Sequence, residues 1–126
     1  MIYSVSLVAV GGAIGASLRY LTGLLVTWLL DHPAFPMAIL TVNILGSFIM
    51  GLFVVAAAHK GLTHLSPLVV TGFLGGFTTF SSFSLETVTL IERGDMAQAA
   101  LYVGLSVGVS IAALAGGMML ARGVFA

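Results

Sequence analysis

The chain has no cysteine and only three prolines, and charged residues make up just 6% of its 126 positions. Without cysteine there can be no disulfide, thiol nucleophile or thiolate metal site. Four Lys and Arg balance four Asp and Glu, so no surplus charge attracts a polyanion, and nucleic acid is not an expected partner. No positively charged stretch precedes the first apolar run, "MIYSVSLVAVGGAIGASLRY", which also outlasts the hydrophobic part of a secretory leader. It reads as an uncleaved first helix. Apolar surface, by contrast, is abundant. Hydrophobic residues make up 60% of the chain and the mean hydropathy is +1.20, more than one soluble core could hide. The composition therefore predicts an all-α integral membrane protein that passes the bilayer several times.

About 20 helical residues cross a hydrocarbon core roughly 30 Å thick. Polar or proline-bearing joints divide the chain into four such lengths, residues 4–30, 37–58, 67–91 and 96–121, which form one four-helix domain over residues 1–126. In the joint "DHPAFP", two prolines end one helix and Pro36 is placed to begin the next. In "HKGLTHLSP", Ser66 can cap and Pro67 can occupy the first helical position. In the last joint, Gly94 suits a helix end, while Asp95 and Gln98 resemble a capping box. Four spans put both termini on one side with Lys60 and Arg122, opposite Arg93, Asp31, Glu92 and Asp95. Two basic residues against one is a small difference for the positive-inside rule to act on. Charge counting leaves insertion in both orientations and weakly biased insertion in one both open. Small residues four apart (Gly11 and Gly15, Gly12 and Ala16, Gly72 and Gly76, Gly104 and Gly108, Ala112 and Gly116) predict close helix contacts.

The third span carries "TGFLGGFTTFSSFSLE". Gly75 and Gly76 lie roughly 12 Å into it, near the bilayer middle. They permit either tight packing of an intact helix or a break whose freed carbonyls must find donors, water or a cation. Thr78, Thr79, Ser81, Ser82 and Ser84 interleave with Phe77, Phe80 and Phe83, a phenylalanine row at spacing three. Hydroxyls can replace part of an anion's hydration shell, and ring edges carry partial positive charge. Uncharged donors would hold the anion weakly enough for it to leave. Asn43, mid-span in "TVNILGSF", can donate to an anion or tie two helices together. Tyr102, Ser106 and Ser110 form a hydroxyl stripe at spacing four, although serine can also bond its own helix. Arg19 lies deep in the first span, either as a lure in a wet vestibule or paired with a carbonyl or Glu86. His32, His59 and His64 fall in joints without the spacing of a metal cage, and no nucleophile has a base and an orienting partner. The chain does not read as an enzyme.

Taken in order, "GGAIGASLRY", "TVNILGSF" and "TGFLGGFTTFSSFSLE" resemble the Fluc (CrcB) fluoride channels over essentially the whole chain. The third motif is the specific one, and it departs from the family's GGxTTFSTF only in having Ser82 for threonine. The resemblance implies four transmembrane helices with a broken third, assembled as an antiparallel, dual-topology homodimer in the inner membrane. It implies passive fluoride export that relieves fluoride toxicity. By motif, Asn43, Phe80, Phe83, Tyr102, Ser106 and Ser110 would line the fluoride pathway with the neighbouring hydroxyls of Thr79 and Ser81, and Arg19 would face the vestibule. The backbone carbonyls of Gly75 and Thr78 from both subunits would hold a structural sodium ion. Two other readings compete with this one. A small dual-topology multidrug transporter would need an acid in the first span, where Arg19 stands instead, and a membrane scaffold would leave the Phe and hydroxyl set without a purpose.

Overall fold

The computed structural model describes residues 1–125. Four helical stretches are long and apolar enough to cross a membrane: Ile2–Leu29, Met37–Lys60, Thr63–Glu92 and Met96–Phe125. They coincide with the four predicted spans to within a few residues at each end, and three are unbroken: α1 (Ile2–Leu29), α2 (Met37–Lys60) and α5 (Met96–Phe125). The third stretch is composite. A 3₁₀ turn at Thr63–Leu65 leads into a π-helical segment, Pro67–Leu74, followed by a single turn, α3 (Gly75–Phe77), and by α4 (Phe80–Glu92). Pro67 takes the predicted first position, but the Ser66 side chain makes no capping bond. Gly94 closes α4 with φ 82. No Asp95–Gln98 capping box is seen among the described residues, and the Asp95 carboxylate is paired with Arg93 at 3.0 Å. α2 runs two residues beyond its predicted end, so His59 is helical and stacks on Phe125 instead of lying in a joint.

Glycines set the helix spacing. α1 lies along the first half of the third stretch, where a Cβ on Gly11 would meet the Leu68 carbonyl and one on Gly15 the Phe73 carbonyl. From the other side, a Cβ on Gly76 would sit 2.8 Å from the Gly12 carbonyl oxygen and 3.1 Å from the Ala16 nitrogen. The expected pairs Gly11 with Gly15, Gly12 with Ala16 and Gly72 with Gly76 thus form one backbone-to-backbone crossing. Gly104, Gly108 and Gly116 have no neighbour within 4 Å of a would-be Cβ and do not pack inside the chain. For Gly104 and Gly108 the reason is angular. α5 turns Ala99, Tyr102, Ser106, Gly117 and Ala121 inward, and a residue two positions from Tyr102 or Ser106 points to the opposite face. The α2–α5 crossing uses Gly51 and Gly117 instead, each against the other helix's backbone.

The third stretch breaks two residues later than the glycine pair suggested. Gly75 is helical, with φ −63 and ψ −35, whereas Thr78 (φ −86, ψ 159) and Thr79 (φ −154, ψ 119) are extended. The glycines serve close approach to α1, and two β-branched residues, which tolerate extended backbone well, carry the break. Thr79 then caps α4, its Oγ1 accepting from the Ser82 amide at 3.1 Å. The phenylalanine row is divided as a consequence. Phe77, before the break, stacks on Phe73, while Phe80 and Phe83 pair with each other after it.

Candidate functional site

The break is clamped from α2. Asn43 Nδ2 donates to the Thr79 carbonyl at 3.1 Å, and Asn43 Oδ1 accepts from the Thr79 amide at 2.8 Å. One side-chain amide thereby satisfies both backbone groups of the residue that left the helix. Asn43 is therefore interhelical glue, as one of its two readings held. Room is made for this clamp at Gly46, where a Cβ would strike the Thr78 methyl.

The diverted donors leave specific acceptors behind. In an unbroken helix the Thr79 amide would bond the Gly75 carbonyl and the Ser82 amide the Thr78 carbonyl. Here the first goes to Asn43 and the second to the Thr79 hydroxyl. The Gly76 carbonyl, between them, is taken by Arg19 Nε at 3.0 Å. Arg19 thus pairs with a carbonyl and forms no ion pair with Glu86, although both line one cavity of about 850 Å³ beside the second half of α1. That placement is the carbonyl pairing, one of the two readings of Arg19: the guanidinium anchors the helix before the break, and the side chain also lines the cavity.

Against the break lies a cleft of about 310 Å³ that brings together Asn43, Thr79, Phe80, Phe83, Ser106 and Ser110. Its lining includes no carboxylate. Tyr102 lies behind Phe83, with ring centroids 5.3 Å apart, and is fully buried. Ser81 is exposed and reaches the group only through the Thr79 hydroxyl, 3.3 Å away. Phe80 is 77% exposed and Phe83 8%, so one ring lies on the open side of the cleft and the other in its wall.

Tyr102, Ser106 and Ser110 share a distinction. Their hydroxyl oxygens are buried without a hydrogen-bond partner. Other hydroxyls in the spans turn back onto their own helix: Thr41 to the Met37 carbonyl, Ser84 to Phe80, Thr87 to Phe83 and Thr89 to Leu85. The α5 hydroxyls could do the same and do not. A buried unpaired hydroxyl costs on the order of 1–3 kcal/mol, so the two that line the cleft, Ser106 and Ser110, call for a polar occupant there. Sequence reading missed one polar member of the lining, Ser47, and the apolar Val107 and Ile111. The signal for Ser47 was the four-residue spacing from Asn43, which puts both on one face of α2.

Residues 6–118 match the family of CrcB-like proteins, described as camphor resistance (CrcB). The chain belongs to the CrcB family. A CrcB relative from Ruegeria sp. (strain TM1040) is 68% identical over 98% of each chain, and one from Roseobacter denitrificans is 65% identical over 97% of this chain and 98% of its own. A third, from Jannaschia sp. (strain CCS1), is 80% identical over 74% of this chain and 89% of its own. All three are named fluoride-specific ion channel, which places the family among ion channels and not among enzymes.

Proposed function

We propose that this chain forms a passive, fluoride-selective channel, and the observation that carries the proposal is the stripe of buried, partnerless α5 hydroxyls, of which Ser106 and Ser110 line the cleft and Tyr102 lies behind Phe83. Fluoride is a compact hydrogen-bond acceptor that must exchange water for donors. Tyr102, Ser106 and Ser110 offer three such donors, and the second amide hydrogen of Asn43, unused by Thr79, offers another. The edges of Phe80 and Phe83 add partial positive charge without the grip of a cation. Thr79 and Ser81 extend the donor set toward the open side. Arg19 supplies a full positive charge on the wall of the larger cavity, outside the cleft, where it would raise the local anion concentration without trapping the ion in the cleft. Passive flow out of the cell through the inner membrane would relieve fluoride toxicity.

A second copy completes the pathway. Phe80 lines the cleft and is 77% exposed, and a homodimer would supply a wall against it. Antiparallel pairing fits the charge distribution, since Lys60 and Arg122 on one side against Arg93 on the other give the positive-inside rule little to act on. A tag at the C-terminus is expected on both faces of the membrane in cells making the unmodified protein. Labelling from one face alone, in active protein, would contradict dual topology.

The break fits a cation at the dimer centre. Gly75 and Thr78 each present a carbonyl that has lost its helical donor, and Gly75 lies on the exposed side of its helix. Two such carbonyls per chain would give four oxygen ligands, a donor set suited to a hard cation such as sodium. The ion would lower the cost of bringing an anion through the low-dielectric centre. Liposomes containing the purified protein are expected to release fluoride down its gradient far faster than chloride in sodium buffer, and to stop when sodium is rigorously removed. Equal rates for the two anions would overturn the selectivity, and full activity without sodium would overturn the cation requirement.

A further inference from the structure

We infer that Phe35, in the joint between α1 and α2, is a positioning residue that fixes the direction of the Tyr102 hydroxyl. The Phe35 ring meets Tyr102 edge to face, with centroids 5.6 Å apart and planes at 88°. Phe83 packs on the same ring at 5.3 Å and 45°. Tyr102 is completely buried and its hydroxyl has no hydrogen-bond partner. Its orientation is therefore set chiefly by packing, in which these two phenyl rings are the aromatic members of a cluster with Leu40, Leu90 and Ala99.

The joint is built to hold Phe35 still. Pro36 has φ −75 and ψ 71, and the Met37 amide donates to the Phe35 carbonyl at 2.8 Å. These values define an inverse γ-turn centred on a proline, whose φ is locked by its ring. Upstream, the His32 amide is tied to the Thr27 carbonyl at 2.8 Å, and Asp31 and His32 both take left-handed backbone, with φ 56 and 55. Such backbone is costly away from glycine and persists where the surroundings over-determine it. Phe35 also walls a cavity of about 200 Å³ that contains Glu86 and Thr27. One ring thus stands between that joint cavity and the last hydroxyl of the α5 stripe. Removing it would let Tyr102 tilt and join the joint cavity to the cleft.

The transport side of this inference rests on the fluoride reading, whereas the positioning side has its own readout. In proteoliposomes, Phe35→Leu is expected to slow fluoride release about threefold to tenfold, the range an edge-to-face aromatic pair is worth, and to narrow the preference for fluoride over chloride. Phe35→Tyr, which keeps the ring, restores both. Combined with Tyr102→Phe, Phe35→Leu should add little further loss, since both act on one hydroxyl. Independently, protein made with 3-fluorotyrosine carries three labelled sites, Tyr3, Tyr20 and Tyr102. The Tyr102 fluorine resonance, assigned by its absence in Tyr102→Phe, should shift or broaden in Phe35→Leu. Should Phe35→Leu elute aggregated, Phe35→Met makes the same comparisons. Wild-type flux in the leucine variant, no rescue by tyrosine, losses that multiply in the double variant, or an unmoved Tyr102 resonance would each overturn the inference. A moved resonance in protein that conducts no fluoride would instead keep the clamp and sink the channel reading.

Discussion

Replacing Asn43 by leucine is expected to lower fluoride release at least about a hundredfold, which corresponds to roughly 2.7 kcal/mol at the barrier. Leucine keeps the γ-branched skeleton of asparagine, though with bulkier ends, and removes both bonds to Thr79, at 2.8 and 3.1 Å. The Thr79 amide and carbonyl would then sit unpaired in a low-dielectric interior, at about 1–3 kcal/mol each. The chain's escape is to give up the extended backbone at Thr78 and Thr79 and return the Thr79 amide to the Gly75 carbonyl. That heals the helix, swings α4 and reoccupies a carbonyl proposed to hold the cation. Asn43→Asp is a useful contrast, since it keeps the acceptor, loses the donor and places a negative charge in the cleft. Both variants should be read as fluoride-electrode traces from proteoliposomes, with chromatographic confirmation of wild-type assembly. An Asn43→Leu channel retaining more than about a tenth of wild-type flux would show that the clamp is dispensable.

This expectation differs from one drawn from sequence, and the difference marks how far the sequence could be read. The four spans were legible because hydropathy and helix length are local properties, and lipid leaves little else for backbone to do. The hydroxyl stripe was legible because spacing four on a helix always shares a face. The position of the break was not, because glycine has two uses in a membrane helix. Gly75 and Gly76 looked like the weak point, yet Gly76 is held against Gly12 and Ala16 of α1, and helical geometry continues through both. Deciding between close approach and a break required knowing which helix lies opposite. The same applies to Asn43, whose partner is 36 residues away, and to Gly104 and Gly108, whose spacing satisfies the packing motif on the wrong face. Phe35 gave no signal, because a phenylalanine between two prolines in a joint resembles any other loop residue until Tyr102 is placed beside it.

Ser106→Ala is expected to make the protein more stable and less active. Ser106 is 6% exposed, and its hydroxyl has no hydrogen-bond partner in the chain. Burying that hydroxyl unpaired costs about 1–3 kcal/mol. Alanine removes the cost, keeps the small volume at the inward face of α5 and is the better helix former. The unfolding midpoint in detergent should therefore rise, by an amount corresponding to about 1 kcal/mol, while fluoride release falls roughly tenfold to a hundredfold, as one donor to the bare ion is lost. Ser106→Thr retains the hydroxyl and should recover flux to the extent that the cleft accepts a methyl. The opposed signs distinguish this account from a structural one. A serine bonded to the Tyr102 carbonyl one turn earlier, as Thr87 is to Phe83, would lose stability or change little on truncation and would leave flux intact. An Ser106→Ala protein that is both less stable and fully conducting would mean that the hydroxyl serves the helix. A more stable, slower channel would mean that the fold tolerates an unpaired donor because the permeating ion is its partner.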